Sequence, residues 1–166
     1  LREFGVLLTA ILIAGRSGSA FTAQIGSMKS REELDAIQAL GLDAIELLVI
    51  PRLLALFVML PLLTFIAMMM GIVGGGIVGT LALDITPGMF ISRVQEMTGV
   101  EHFWVGMVKA PVFAFLIATV GCLEGFKVEG SAESVGRHTT ASVVQSIFLV
   151  LVFDSLFAMF FMEMDI

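Results

Sequence analysis

The chain has 166 residues, of which 58% are hydrophobic and 14% are charged, and its formal net charge is −6. Soluble domains carry about a quarter of their residues as charged side chains, so this composition excludes an ordinary soluble domain and predicts an integral membrane protein. The acidic balance also argues against a nucleic-acid partner, because binding a phosphate backbone requires a surplus of Lys and Arg.

Long apolar stretches predict four transmembrane helices and hence an all-α, polytopic membrane fold. The first runs from Phe4 to about Ile25, the third from Phe103 to about Leu123, and the last from Thr139 to Met162. The second, Leu53 to Leu83, has thirty-one uncharged residues. A helix of that length measures about 46 Å, so it must tilt, kink or break, and Pro61 is the expected kink.

Small residues in the first two spans predict sites of close helix packing. Helices in lipid approach one another most closely where Gly, Ala or Ser recur every four residues. The glycines expected at such contacts are Gly15 and Gly18 in the first span and Gly71, Gly75 and Gly79 in the second.

The segment 30–50 is the longest charged stretch. Ser30 and Glu33 have the spacing of a capping box, which predicts a helix start, and Gly41 predicts its end. Such a helix has about ten residues, or about 15 Å, which is half of what a bilayer core requires. We therefore expect it to lie at the membrane surface.

The apolar side chains of this surface helix follow a roughly three-residue spacing and form a stripe that requires a partner. They are Leu34, Ile37 and Leu40. Asp43 predicts the cap of a second short helix that ends at Pro51.

The remaining connections differ in charge. The connection 84–102 contains a short amphipathic piece, Met89 to Met97, which predicts an interfacial helix, and 124–138 is interpreted as a loop. Lys and Arg are concentrated in two loops, 27–52 and 124–138, and this excess predicts that both loops lie in the cytoplasm. The first helix then enters from outside, an odd number of spans precedes it, and the C-terminus is periplasmic or extracellular.

Five ionisable side chains fall within or beside the spans. Arg16 lies near mid-membrane, whereas Arg2, Glu3, Lys109 and Asp154 come from three spans and should all lie in the outer half. Buried charges are costly in a bilayer, so they usually face a partner, a cavity or a transport pathway. A mutually compensated cluster is therefore predicted. Lining of a pathway is favoured, and purely structural pairing is the alternative.

We find no catalytic or metal-binding pattern. The segment 74–80, GGGIVGT, resembles a phosphate-binding loop but has Thr80 in place of the essential lysine. His102 and His138 are predicted on opposite membrane faces, so they cannot share a metal or a catalytic triad. Each is interpreted as an ordinary interfacial residue.

Several ordered motifs resemble the MlaE/YrbE family of permeases. They are RE-x-G-x-x-LTA-x-L-x-AGR-x-GSA-x-x-A-x-IG-x-M (Arg2 to Met28), E-x-DAI-x-x-LG-x-D (Glu33 to Asp43), Val49 to Arg52, and EG-x-x-x-x-VG-x-x-TT-x-x-VV (Glu129 to Val144). Family members carry an interfacial helix and one further span before Arg2. The resemblance thus implies that 1–166 is a single transmembrane permease domain lacking its N-terminal part, with five spans in total.

The resemblance implies the inner-membrane permease subunit of an ATP-driven phospholipid transporter that maintains outer-membrane lipid asymmetry. The implied partners are a second permease copy, a cytoplasmic ABC ATPase dimer that holds ATP and Mg²⁺, a STAS-domain protein on that ATPase, and a periplasmic hexameric ring of MCE-domain subunits. The permease itself would hold no cofactor and catalyse no reaction.

The resemblance also assigns two sets of residues. The lipid pathway would include Arg2, Glu3, Lys109 and Asp154, with Lys109 meeting a phosphate head group. The coupling helix on the ATPase would use Glu33, Leu34, Asp35, Ile37, Leu40, Gly41 and Asp43.

Two other functions stay open from the sequence. A membrane scaffold would use the surface helix to recruit a cytoplasmic partner and would have no lipid pathway. An ion-coupled secondary transporter would use Lys109 and Asp154 as a relay, and internal inverted repeats would favour it.

Overall fold

The computed structural model describes residues 3–82, 85–97 and 100–163, and within these ranges the chain is helical without a strand. The helices are α1 (Phe4–Ile13), α2 (Ser19–Ser30), α3 (Glu33–Ala39), α4 (Ile50–Ala82), α5 (Pro87–Met97), α6 (Val100–Phe126) and α7 (Ala132–Glu163). A π-helical turn, Ala14–Gly18, joins α1 to α2, and another, Ile45–Val49, leads into α4.

Four helical stretches are long and apolar enough to cross a membrane, which confirms the predicted all-α polytopic fold. They are Phe4–Ser30, Ile45–Leu81, Phe103–Phe126 and Ala132–Glu163. The third span, α6, is central and packs against α2, α4 and α7. Its residues Ala110, Phe113, Ala114 and Ile117 are wholly buried, so the small side chains let neighbouring helices approach while the large ones fill the core.

A close contact joins α6 to α2 and to the π-helical turn before it. A Cβ added to Gly121 would lie 2.9 Å from the carbonyl oxygen of Gly18, and one added to Gly125 would lie 2.7 Å from the Cβ of Ile25. The hydroxyl of Thr22 donates a hydrogen bond of 2.8 Å across this contact to the carbonyl oxygen of Gly121. Only glycine permits this approach, and the pair Gly121 and Gly125 was not singled out from the sequence.

The predicted glycine contacts are only partly present within the chain. Gly18 packs against Ile117, but Cβ atoms added to Gly15 and Gly75 would meet no neighbour within 4 Å. In α4 the predicted Gly79 does pack, because a Cβ added there would lie 3.8 Å from the ring of Phe90 on α5, and the closer contact is at Gly76, at 3.0 Å from the same ring. The interfacial helix α5, Pro87–Met97, agrees with the predicted piece from Met89.

Ser30 does not start a helix, so the predicted capping box is wrong. Ser30 is the last residue of α2, and its hydroxyl donates to the carbonyl oxygen of Gly26 at 2.9 Å. The chain turns at Glu32, which has a left-handed φ of 61°, and α3 begins at Glu33. A serine hydroxyl can bond back to the preceding helical turn as readily as it can cap the next helix, and here the longer helix takes it.

The end of α3 is the predicted one. Gly41 has φ 76°, its N–H donates to the carbonyl of Gln38, and the N–H of Leu42 donates to that of Ile37. These two bonds form a Schellman motif, in which glycine adopts the left-handed conformation at little cost.

Asp43 caps the next helical segment, because its Oδ1 accepts a hydrogen bond of 2.8 Å from the N–H of Ile45. This helix was predicted to end at Pro51. That prediction is wrong, because the helix continues through Pro61 to the end of the span. Pro51 follows directly on the π-helical turn Ile45–Val49, so the residue without an N–H donor falls where the helical hydrogen bonding is already irregular. The predicted loop at 124–138 is also shorter, because α6 ends at Phe126 and α7 begins at Ala132.

Candidate functional site

An ion cluster lies where α6, α7 and the start of α1 meet. The Nζ of Lys109 lies 2.6 Å from Oε2 of Glu3 and 3.2 Å from Oδ1 of Asp154. The Lys109 side chain is wholly buried, and those of Asp154 and Glu3 are 13% and 36% exposed. The structure thus brings together three of the four residues predicted for this cluster, and the fourth, Arg2, lies outside the described residues.

Two carboxylates around one ammonium make this burial tolerable. Each buried ion loses several kcal/mol of hydration, and short charge-assisted hydrogen bonds to the opposite charge offset that loss. Lys109 lies on α6, Asp154 lies on α7 and Glu3 immediately precedes α1. The ion pairs therefore connect these three helices where they meet.

An apolar groove lies next to the cluster of Glu3, Lys109 and Asp154. Phe153, Leu156, Phe157 and Phe160 line a space of about 380 Å³ on α7, on either side of Asp154 in the chain. The ring of Phe157 stacks on that of Phe161 with 6.1 Å between centroids, and the Nζ of Lys109 lies 5.8 Å from the Phe161 centroid. Charged groups and an aromatic groove therefore share one surface region.

A second ion cluster, near the C-terminal end of α6, was missed from the sequence. Glu124, whose side chain is 3% exposed, has Oε1 2.6 Å from Nζ of Lys127 and Oε2 2.7 Å from Nδ1 of His138. The interpretation of 124–138 as a loop hid this pair, since Glu124 is helical and faces α7. His138 is therefore a partner of a buried carboxylate and not an ordinary interfacial residue.

The two clusters lie on one stripe of α7. Its members recur every four residues and are buried or half-buried: His138, Ser142, Ser146, Val150 and Asp154. The hydroxyls of Ser142 and Ser146 have no hydrogen-bond partner among the described atoms. The signal that could have identified this stripe is the four-residue spacing of polar residues in an otherwise apolar span.

The apolar stripe of α3 is buried against the bundle at one end and exposed at the other. Leu34 is 6% exposed and packs with Ile25, Ala44 and Leu48, and Ile37 is half-buried against the same cluster. Leu40, by contrast, is 76% exposed. The prediction that all three residues face an external partner is thus wrong for Leu34, which anchors α3 to the bundle and leaves Leu40 available. The acidic members Glu33, Asp35 and Asp43 are exposed.

These features define a multi-pass helical membrane protein with buried ion pairs, a class in which intramembrane charges commonly mark transport pathways. The family model described as Permease MlaE matches residues 1–160. The chain belongs to that family, as its motifs indicate.

Named relatives agree with the family. The chain is 40% identical over 151 residues to a probable ABC transporter permease protein of Synechocystis, covering 91% of this chain and 57% of that protein. It is 34% identical to a probable ABC transporter permease protein of Rickettsia bellii (98% and 62% covered) and 30% identical to the chloroplastic protein TRIGALACTOSYLDIACYLGLYCEROL 1 of Arabidopsis thaliana (98% and 46%). The chain thus spans about half to three fifths of these relatives.

Proposed function

We propose that this chain is the lipid-handling part of the permease subunit of an ATP-driven phospholipid transporter. The observation that carries the proposal is the juxtaposition of the Glu3, Lys109 and Asp154 cluster with the aromatic groove of α7. A phospholipid is amphiphilic, so a site for it needs a polar region and an adjacent apolar surface. The name of the Arabidopsis relative refers to a galactosylated diacylglycerol, which supports a glycerolipid substrate and does not specify a phosphate head group.

Coupling to ATP hydrolysis would occur through α3. This helix is too short to span a membrane, is anchored by Leu34, and presents Leu40 next to exposed acids. A separate ABC ATPase dimer, holding ATP and Mg²⁺, would bind here and transmit its motion through α3 into α2 and α4. The permease names of the relatives favour this arrangement over a scaffold or an ion-coupled transporter.

The remaining partners follow from the family resemblance. Two permease copies would pair in the inner membrane, with the C-terminus periplasmic, and a hexameric ring of MCE-domain subunits would exchange lipid with them on the outer side. A STAS-domain protein would bind the ATPase. The outer position of the Lys109 cluster is consistent with exchange on the periplasmic side.

Lipid analysis of the purified full-length complex tests this proposal. The complex is extracted in mild detergent, and co-purified proteins and lipids are identified by mass spectrometry. We expect stoichiometric phospholipid together with an ABC ATPase and an MCE-domain protein. A partner without a nucleotide-binding site, and no lipid above the level of an unrelated membrane protein, would instead support the scaffold function.

A further inference from the structure

Arg16 is an exposed cation in the middle of the first membrane span. It is the thirteenth residue of the span Phe4–Ser30 and lies at the centre of the π-helical turn Ala14–Gly18. Its guanidinium makes no hydrogen bond or ion pair with the described part of the chain. An uncompensated arginine at this depth is costly, so it must meet an anion or water that the chain itself does not supply.

The π-helical turn places Arg16 on the exposed side of the first span. The hydroxyl of Ser19 donates back to this turn, 2.6 Å from the carbonyl oxygen of Gly15 and 3.0 Å from that of Arg16. Gly15 has open space beside it. Single π-helical turns of this kind are frequent at functional sites.

Lys109, the cation that the family resemblance assigns to a phosphate, is poorly placed for that task. It is wholly buried and already bound by two carboxylates, so a phosphate would have to displace Glu3 or Asp154. Arg16 has no such competitor. Its planar guanidinium can also donate two parallel hydrogen bonds to one phosphate group.

The described residues of a second copy of this chain offer no free carboxylate at this depth. Among the described residues of the spans, Asp154 is the one acid more than three residues from a span end, and it is bound to Lys109. Glu46 and Glu133 are each the second residue of a span. The described acids of a second copy therefore do not match the position of Arg16, whereas a lipid phosphate inside the membrane does.

We infer that Arg16 binds the phosphate of a lipid held or carried at mid-membrane, and so determines specificity for phospholipids over uncharged lipids. The inference rests on the proposed function and names a substrate contact within it. A phosphate reaches this depth only when a lipid leaves the bilayer surface, so Arg16 acts on lipid in passage while the Lys109 cluster organises the outer half of the pathway.

The test measures lipid binding to the full-length permease with its ATPase. Wild type and Arg16→Leu are incubated in mixed micelles with dioleoylphosphatidylglycerol or with dioleoylglycerol, which lacks the phosphate, and bound lipid is counted by native mass spectrometry. Leucine suits an apolar surface, so the fold should persist. We expect Arg16→Leu to lose about tenfold or more in phosphatidylglycerol binding, with dioleoylglycerol unchanged.

Two matched variants and one competitor complete the test. Arg16→Lys should keep most phosphatidylglycerol binding, and Arg31→Gln, which removes an exposed cation outside the spans, should change nothing. Equal phosphatidylglycerol binding by Arg16→Leu would overturn the inference alone, whereas no phospholipid on the wild type would overturn it together with the proposed function. Loss of the permease pair in Arg16→Leu would assign Arg16 to a subunit contact, and displacement of lipid by excess inorganic phosphate would assign it to a free anion. Both outcomes contradict the inference.

Discussion

At the scale of single residues, the organising feature is one buried ammonium shared by two carboxylates. Lys109 has no exposure and lies within 3.2 Å of both Glu3 and Asp154. A pair of opposite charges can be exchanged for apolar residues at small net cost, whereas the loss of one partner leaves a buried charge unpaired. This asymmetry separates a structural role of the cluster from a role in handling lipid.

We expect Lys109→Met to destabilise the protein by about 3 kcal/mol, because the buried carboxylate of Asp154 then has no ammonium partner. The double variant Lys109→Met with Asp154→Leu should regain most of that stability. Thermal unfolding in detergent measures both effects. Phospholipid retention should stay low in the double variant, and full recovery of retention together with stability would reduce the cluster to a purely structural device.

Glycine substitutions test the close contact between α2 and α6. Gly125→Ala places a Cβ 2.7 Å from that of Ile25, which must force the helices apart, and this should cost about 1–3 kcal/mol. Gly75→Ala is the matched control, since its Cβ meets nothing within 4 Å, and stability should change by about 0.5 kcal/mol or less. Unfolding temperatures of the two variants provide the comparison, and equal values would contradict the described packing.

Gly75 can still contact a second permease copy, as its glycine spacing suggests. In that case Gly75→Leu should lower the yield of the permease pair in size-exclusion chromatography while the unfolding temperature of the single chain stays constant. An unchanged yield would mean that Gly75 faces lipid.

At the scale of elements, α3 is packed against the bundle on one side and exposes an apolar residue for a partner on the other. Leu34 holds it to the bundle, and Leu40 projects outward at the Schellman turn. A change at Leu34 would confuse misfolding with lost coupling, so Leu40 is the informative position.

Leu40→Asp should weaken ATPase binding by roughly 3 kcal/mol, or more than about a hundredfold, because a charge enters an apolar contact. Gln38→Asp adds the same charge to another position of α3 and should leave binding intact. Pull-down of the ATPase by each full-length variant measures the difference. Undiminished capture by Leu40→Asp would exclude α3 as the coupling element.

Long elements were predictable from the sequence, and several boundaries and partners were not. A run of thirty-one uncharged residues is typical of a membrane span, and a glycine after a short apolar-periodic segment favours a helix end, so these predictions rest on local chemistry. Ser30 had two possible hydrogen-bond partners, and the choice depended on how far α2 extends. Glu124 and His138 are fourteen residues apart, and their pairing depends on how α6 and α7 pack, which no local pattern shows.

The charged residues of the candidate site were predictable from the sequence, but the environment of each residue was not. Deep ionisable residues identified Lys109 and Asp154, because such residues are rare in lipid. Sequence alone could not show that Lys109 is enclosed while Arg16 remains open, since exposure is set by the neighbouring helices. We therefore propose the phosphate contact for Arg16 and not for Lys109.

At the scale of the whole molecule, α6 is the axis on which both ion clusters and the close contact with α2 depend. Lys109 lies in its N-terminal half, Glu124 lies near its C-terminal end, and Gly121 and Gly125 lie against α2. In the proposed transporter, motion transmitted through α3 and α2 would reach the cluster of Glu3, Lys109 and Asp154 through one tightly packed helix pair. This continuity would provide a physical route between ATP hydrolysis and the proposed lipid site.

The most direct measurement of the central claim is ATP-dependent movement of phospholipid in proteoliposomes that contain the full-length permease and its ATPase. Fluorescently labelled phospholipid is followed with ATP, without ATP, and with an ATPase variant that binds ATP without hydrolysing it. We predict movement that requires hydrolysis and that is strongly reduced by Leu40→Asp. Phospholipid movement that is the same with and without ATP, from an intact complex with active ATPase, would contradict the proposed transport function.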